Sequence, residues 1–360
     1  MESALTTVPP SRSARRIASA DLPLAVGPAI RMACRIVLCA CLPICPACCL
    51  RWCAHPLCRI VRVMDTDLIL IAKPSSQALE KTLVEEVSTA IGAHQPNWLA
   101  EGEACEWPLP GLAPGDHGEL ETIARGIVGD RPVDVAVVPT PKRRKRLLIA
   151  DMDSTIIGQE CIDELAAAGG VGDEVKAVTE RAMRGELEFE DALRGRVAKL
   201  AGLPAGIIDE LIANAITVND GAACLVETMK SFGAMTALVS GGFVQFARHV
   251  AGQTGFEHVQ ANSLVIENET LKGTVEEPIL GRDAKLKALR SLCETHGLEL
   301  DEAIAVGDGA NDLAMIEAAG IGVAYHAKPA LREAADVRID HGDLTALLYI
   351  QGYPRRDFRR

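Results

Sequence analysis

The sequence predicts an α/β protein with a doubly wound parallel sheet, a helical cap inserted after the first strand of that sheet, and a small α+β module ahead of it. Three observations support this prediction. From Leu147 onward, short apolar runs alternate with helical segments, which is typical of a parallel sheet. A helical block too long for one crossover interrupts the alternation after its first strand. An apolar run, two helical stretches and a β-branched run precede Leu147.

The predicted α+β module spans residues 64–141. Its elements, in chain order, are a strand over 67–72, a helix over 77–91, a Pro/Gly-rich loop over 107–115, a helix over 118–126 and a strand over 133–138. The basic run 142–146 is predicted to be a solvated linker rather than a nucleic-acid contact, because no aromatic residues are interleaved with its charges.

Residues 142–360 are predicted to form the second domain, with the cap over about 157–218. The cap helices lie within 160–211 and are separated at glycines. The predicted strands of the parallel sheet are 147–150, 234–239, 303–306, 321–324 and 336–339. Helices are predicted over 221–231, 243–251, 283–296 and 312–319, and a hairpin over 262–275.

The first 63 residues differ in composition from the rest of the chain. Eight of the twelve cysteines lie between Cys34 and Cys58, and prolines interrupt an apolar stretch that is too broken for a signal core or a membrane span. A cysteine metal knuckle would need a second well-spaced ligand pair, which the segment does not offer. We expect a disordered or untranslated extension, and expect activity not to depend on it.

Composition and charge exclude several function classes. The net charge of −12 argues against a nucleic-acid partner, which needs clustered positive charge, and against an anionic membrane surface. The other four cysteines are scattered singly, as expected of buried thiols in a reducing cytoplasm. We therefore expect a cytoplasmic protein.

Polar motifs follow three predicted strands at their C-terminal ends, the edge at which open α/β sheets bind ligands. The motif DMDST begins at Asp151, SGG begins at Ser240, and GDGAND begins at Gly307. Lys285 lies near the start of its own helix. The three motifs and Lys285, found together in this order, indicate a functional site far more specifically than any one of them alone.

The residue types suit phosphoryl transfer. Asp151 and Asp308 are hard oxygen ligands for Mg²⁺. Ser240 supplies a hydroxyl beside glycines that let backbone N–H groups approach a phosphate. Lys285 can neutralise phosphate oxygens and keep nearby carboxylates ionised. Asp153 can give and accept a proton.

Taken together, these motifs resemble the haloacid dehalogenase superfamily of phosphohydrolases, and within it the phosphoserine phosphatases. The resemblance covers residues 146–350 and includes DMDST, the cap segments MRGE and FEDALRGRV, VSGGF and VGDGAND. Residues 64–141 are similar to the N-terminal region of longer bacterial members, an ACT-like fold.

The resemblance implies a role for each site residue. Asp151 would be the nucleophile and Asp153 the general acid and base, and Mg²⁺ would bind Asp151, the Asp153 carbonyl and Asp308. The residues expected to hold the phosphoryl group are Ser240, Gly241, Lys285 and Asn311. Asp312 would anchor the metal shell or Lys285. In the cap, Glu160 would bind the substrate ammonium, Arg196 its carboxylate, and Met183 and Phe189 would form an apolar lid.

The expected reaction is hydrolysis of O-phospho-L-serine to serine and phosphate, the last step of serine biosynthesis. Two alternatives stay open at this point: a related phosphatase or phosphotransferase acting on another small phosphate ester, and a non-catalytic amino-acid sensor. The sequence is compatible with a homodimer and does not decide the oligomeric state.

Overall fold

The computed structural model describes residues 63–74, 76–113, 115–183 and 186–359, without the side chains of Met183 and Arg282. The N-terminal extension that is expected to be disordered or untranslated, with its cysteine cluster, lies outside the described residues apart from Val63. Within the described ranges, no helix is both long enough and apolar enough to cross a membrane.

The N-terminal module is a βαββαβ unit. Its elements are β1 (Met64–Ala72), α1 (Lys81–Ile91), β2 (Asn97–Ala100), β3 (Ala104–Leu112), α2 (His117–Val128) and β4 (Val133–Pro139). The strands form one antiparallel sheet in the order β2-β3-β1-β4. The indole of Trp107 donates to the Ser88 hydroxyl at 3.0 Å, which joins β3 to α1. The α+β character is as predicted, and the ACT-like assignment stays a prediction.

The prediction of a loop over 107–115 is wrong for its first six residues, which belong to β3. Pro108 lies opposite Asp67 of β1, whereas the pairing of β3 with β2 reaches only as far as Glu106. This part of β3 therefore has one neighbouring strand. A proline, which lacks the N–H group, is tolerated on such a free edge. The short strand β2 also had no counterpart among the predicted elements.

The second sheet is parallel throughout. Its strands are β5 (Leu147–Ala150), β6 (Met235–Phe243), β7 (His258–Asn262), β10 (Ala303–Gly307), β11 (Ile321–Tyr325) and β12 (Val337–Ile339). They lie in the order β12-β11-β10-β5-β6-β7. The helices that follow its strands are α7 (Ala222–Ser231), α8 (Val244–Thr254), α9 (Arg282–His296), α10 (Leu313–Ala318), α11 (Pro329–Ala334) and α12 (Ala346–Ile350). The predicted doubly wound sheet is confirmed.

The cap consists of four helices between β5 and β6. They are α3 (Cys161–Ala168), α4 (Gly172–Met183), α5 (Phe189–Ala198) and α6 (Gly206–Asn214). The segments that enter and leave the cap meet in a bridge between Ile157 and Val218. The hairpin β8 (Leu264–Glu267) and β9 (Thr270–Val275) supports the cap from the other side, because the N–H of Gly202 donates to the Leu271 carbonyl at 2.9 Å. The cap is thus held at both ends.

The prediction that the basic run 142–146 is a solvated face is wrong for two of its residues, Arg143 and Lys145, which are buried. The Arg143 guanidinium lies 2.7 Å from the Glu106 carboxylate and 3.1 Å from that of Asp67, both in the module. It also donates to the carbonyl of Ile350 at 2.6 Å, in the second domain. A buried cation persists where carboxylates and carbonyls satisfy it, and Arg143 joins the two parts of the chain.

Candidate active site

The three motif-bearing strands are neighbours in the parallel sheet, in the order β10-β5-β6. Asp151 follows β5 directly, Ser240 lies in the last part of β6, and Asp308 follows β10. All three side chains are buried. Since parallel strands end at the same edge of a sheet, the side chains that the sequence placed at three strand ends share one site.

Lys285, on the first turn of α9, lies beneath this site. Its ammonium is 2.7 Å from Asp151 Oδ2 and 2.5 Å from Asp312 Oδ1. Burial alone would lower the pKa of Lys285, but the two carboxylates raise it, so the ammonium stays charged. Lys285 therefore holds Asp151 in place and partly neutralises it.

Three buried carboxylates converge at the edge of the sheet. Asp151, Asp308 and Asp312 each have an oxygen within 4.8 Å of the others. Asp312 is already engaged on both oxygens, because Lys285 lies on one and the Gly309 N–H donates to the other at 3.1 Å. Asp151 and Asp308 line the cavity between the sheet edge and the cap, so their carboxylates are the ones placed to face a cation there. A pair of hard oxygen donors fits Mg²⁺, which takes one or two carboxylates together with water and phosphate oxygens.

Two glycines at the end of β6 leave room for a ligand close to the backbone. The Gly242 N–H donates to Ser240 Oγ at 2.8 Å, and the Asn262 side-chain amide donates to the Gly241 carbonyl at 2.8 Å. A Cβ atom at Gly241 would lie 3.1 Å from the Phe189 ring, and one at Gly242 would lie 2.6 Å from an Asp153 carboxylate oxygen. Glycine at both positions therefore keeps the space between this strand end, the cap and Asp153. Gly242 was not among the predicted site residues.

Asp153 lies beside Asp151 and lines the same cavity. Its Oδ1 accepts a 3.4 Å hydrogen bond from the Cys161 N–H at the start of α3. Burial, reinforced by the charges of Glu160 and Asp151, raises the pKa of Asp153 to about 7. A carboxyl group of this pKa exchanges protons near neutral pH.

The cap and the sheet edge enclose a cavity of about 480 Å³. It is lined by most of the predicted site residues: Asp151, Asp153, Glu160, Phe189, Arg196, Ser240, Gly241, Asp308 and Asn311. Lys285 and Asn311 line a small adjoining cavity that also reaches Ser240 and Phe189. Met183 ends α4, and its side chain lies outside the described residues.

Glu160 and Arg196 present opposite charges to this cavity from the cap side. Glu160 Oε1 accepts from the Ser154 hydroxyl at 2.9 Å, and burial raises the pKa of Glu160. Among the described residues, no carboxylate forms an ion pair with Arg196, whose Nε donates to the Ala192 carbonyl at 3.4 Å. Burial lowers the pKa of Arg196, and the charges of Asp163 and Glu160 partly offset that lowering. Its guanidinium is therefore available to an anionic group inside the cavity.

Lys328, which immediately precedes α11, is a site residue that was not predicted. Its ammonium lies 3.1 Å from Asp308 Oδ2 and 4.0 Å from Glu160 Oε1. The sequence around it, His326-Ala327-Lys328-Pro329, carries only a proline signal for a helix start. A lone lysine at such a position gives no sign that its side chain reaches another strand end.

The chain is similar in sequence to proteins of known family. Residues 148–317 match the haloacid dehalogenase-like hydrolase family. Phosphoserine phosphatase SerB2 of Mycobacterium tuberculosis is 40% identical over 258 residues, which are 69% of this chain and 63% of that protein. This chain thus spans less than two thirds of the length of that relative.

Two solved structures are also similar. A probable phosphoserine phosphatase from Vibrio cholerae, in unliganded form, is 31% identical with a TM-score of 0.65, over 81% of this chain and 88% of that one. A phospho-aspartyl intermediate analogue of phosphoserine phosphatase is 39% identical with a TM-score of 0.54, over 57% of this chain and 98% of that one. The chain therefore belongs to the haloacid dehalogenase-like hydrolases and, within them, to the phosphoserine phosphatase family.

Proposed function

We propose that this protein is a Mg²⁺-dependent phosphatase that hydrolyses O-phospho-L-serine to L-serine and phosphate. One observation carries the proposal: a single cavity has Asp151, backed by Lys285, at its floor and the opposite charges of Glu160 and Arg196 at its cap side. A phosphate monoester of an amino acid has one anionic end, one ammonium and one carboxylate. The cavity offers a partner for each of them.

Asp151 is the proposed nucleophile. Its Oδ1 accepts a 2.7 Å hydrogen bond from the Met152 N–H, and Lys285 holds its Oδ2, so the carboxylate has a fixed direction before substrate arrives. Phosphoryl transfer depends mainly on such positioning and on neutralisation of charge. Attack would form an aspartyl phosphate, the state represented by the analogue structure of the similar phosphatase.

Mg²⁺, bound by Asp151, Asp308 and the Asp153 carbonyl, would neutralise phosphate oxygens as a Lewis acid. Ser240, Gly241, Lys285 and Asn311 would hold the phosphoryl group from the sheet side, and Asp312 would keep Lys285 in place. Asp153 would protonate the departing serine oxygen and later take a proton from the water that hydrolyses the aspartyl phosphate.

The cap residues would select the serine part of the substrate. Arg196 matches a carboxylate with two parallel N–H donors, a geometry that lysine cannot reproduce. Glu160 would bind the ammonium group. Phe189, whose ring lies over Gly241, would cover the reacting phosphate and exclude water, together with Met183.

The place of the reaction in the cell is part of the proposal. Release of serine from its phosphate ester would be the last step of serine biosynthesis. Among the described residues, Cys105, Cys161, Cys224 and Cys293 form no disulfide, which suits the reducing cytoplasm. The homodimer stays a prediction that light scattering on the purified protein can test.

The decisive test measures phosphate release from a panel of esters with and without Mg²⁺. O-phospho-L-serine should be the best substrate. Phosphoethanolamine, which lacks the carboxylate, and 3-phosphooxypropanoate, which lacks the ammonium, should both have lower kcat/KM. The Asp151→Asn variant controls for contaminating phosphatases. Faster turnover of an ester without these groups would favour a different phosphatase, and serine binding without phosphate release would favour a sensor.

A second experiment separates the roles of Asp151 and Asp153 by the burst of nitrophenol from p-nitrophenyl phosphate. Asp151→Asn should give no burst, because the anionic attacking oxygen is lost. Asp153→Asn should slow phosphoserine turnover by about 10²–10⁴-fold yet retain a burst, because nitrophenolate leaves without a proton. A burst with Asp151→Asn, or its complete loss with Asp153→Asn, would contradict these roles.

A further inference from the structure

Lys328 places an ammonium group inside the site that the proposed reaction does not use. The N–H of Lys328 donates to the Asp308 backbone carbonyl at 2.9 Å, which fixes the start of α11 beside β10. From there the side chain reaches back to Asp308 Oδ2 at 3.1 Å and approaches Glu160 Oε1 at 4.0 Å. It therefore lies between a carboxylate of the strand end and one of the cap.

The two lysines of the site differ in how firmly they are held. The Lys285 side chain is 5% exposed and has two buried carboxylate partners, whereas that of Lys328 is 61% exposed. Displacing Lys285 would leave buried charges unpaired, which is costly. Displacing Lys328 returns a flexible ammonium to water, and exposed ion pairs contribute little. Of the two ammonium groups, that of Lys328 is therefore the one easily displaced from its carboxylate partner.

The two carboxylates near Lys328 are also the proposed partners of the metal ion and of the substrate ammonium. In the proposed function, Asp308 binds the metal and Glu160 binds the substrate ammonium. An ammonium 3.1 Å from Asp308 Oδ2 occupies part of the space in front of that oxygen. Two cations at one carboxylate repel each other, so the ammonium and the metal compete for Asp308.

We propose that Lys328 is a displaceable counter-ion of the metal site: it holds Asp308 while the site is empty and yields that carboxylate to the divalent cation. Lys328 is thus a positioning residue that acts through Asp308 and lowers the affinity for metal. The inference rests on the proposed function, since it needs Asp308 to be a metal ligand.

The test is the affinity of the full chain for Mn²⁺, followed by the electron paramagnetic resonance signal of free Mn²⁺ without substrate, with Mg²⁺ as competitor. Lys328→Met keeps the length of the side chain and removes its charge. It should bind Mn²⁺ roughly 1.5- to 5-fold more tightly than the wild type, the range that loss of an exposed ion pair allows. The difference should shrink between 20 mM and 500 mM NaCl, because salt screens exposed charges.

Two matched variants complete the experiment. Lys328→Arg keeps the charge and should bind Mn²⁺ nearly as the wild type does. Lys199→Met removes an equal charge from an exposed pair with Glu174 on the cap and should leave the affinity unchanged. Equal or weaker binding by Lys328→Met, or equal tightening by Lys199→Met, would overturn the inference while leaving the proposed function standing. A wild type that binds no divalent cation would refute the metal site itself, and the inference with it.

Discussion

Replacing Arg143 with methionine should destabilise the protein far more than replacing its neighbour Lys142. The change removes one guanidinium from two carboxylates of the module, Asp67 and Glu106. It also removes donors to the carbonyls of Ile350 at 2.6 Å and Tyr349 at 2.9 Å. Methionine fills most of the space and replaces none of these contacts.

The burial of the partners sets the size of the effect. The side chains of Asp67 and Glu106 are 3% and 13% exposed, so without Arg143 both carboxylates would lack their cationic partner at a site with little water. Removing one partner of a buried ion pair costs about 3–5 kcal/mol. Against a typical unfolding free energy of about 5–15 kcal/mol, this is a large fraction.

Urea denaturation of the wild type and both variants checks this expectation. Lys142 pairs with Asp301, and these side chains are 52% and 59% exposed, so Lys142→Met should change the unfolding free energy far less than Arg143→Met does. Adding Asp67→Asn and Glu106→Gln to Arg143→Met should recover part of the loss, because no buried charge is then left unpaired. A loss below about 1 kcal/mol for Arg143→Met would refute the reasoning, since it is no more than an exposed pair contributes.

Two further predictions concern the cap and the backbone. Arg196→Lys should raise KM for phosphoserine more than for phosphoethanolamine, because the paired N–H donors are lost while the charge remains; equal effects in steady-state assays would assign Arg196 to cap structure. Gly221→Ala should lower the melting temperature, because Gly221 has a φ of +83° and a Cβ there would lie 2.7 Å from the Thr345 nitrogen. Gly252→Ala should raise the melting temperature slightly, because Gly252 lies in helix α8 and a Cβ there would meet no atom within 4 Å.

Most of the parallel domain could be predicted because its pattern is repetitive. Short buried runs such as 147–150 and 303–306 have no polar residues, and the motif residues that follow them mark the strand ends. Adjacent parallel strands then bring Asp151, Ser240 and Asp308 to one edge whatever the lengths of the connections. Strand β7 was not predicted because its residues, HVQAN, alternate around polar side chains.

The remaining errors come from features whose partners are far away in sequence. Pro108 is compatible with a strand only because β3 has a free edge there, and nothing nearby in sequence shows that edge. Arg143 and Lys145 are buried because acidic groups and carbonyls from distant segments surround them. Lys328 reaches the site through the turn before α11. The local pattern predicts a loop at Pro108 and solvated side chains at Arg143 and Lys145, and it shows no contact of Lys328 with the site. Contacts with distant segments decide otherwise.

The contacts of Arg143 also bear on how the chain folds while it is being made. Arg143 and its acceptor Tyr349 are 206 residues apart, as are Asp134 and the Asp340 N–H that it accepts. At about 5–20 residues per second, the ribosome needs roughly 10–40 s to add that length. During that interval the sheet face bearing Ile69 and Ile71 has emerged without Tyr349, which belongs to the same hydrophobic core. That face of the module therefore lacks this core partner until the segment around Tyr349 has been made, and it is open to chaperones or to misassociation during translation.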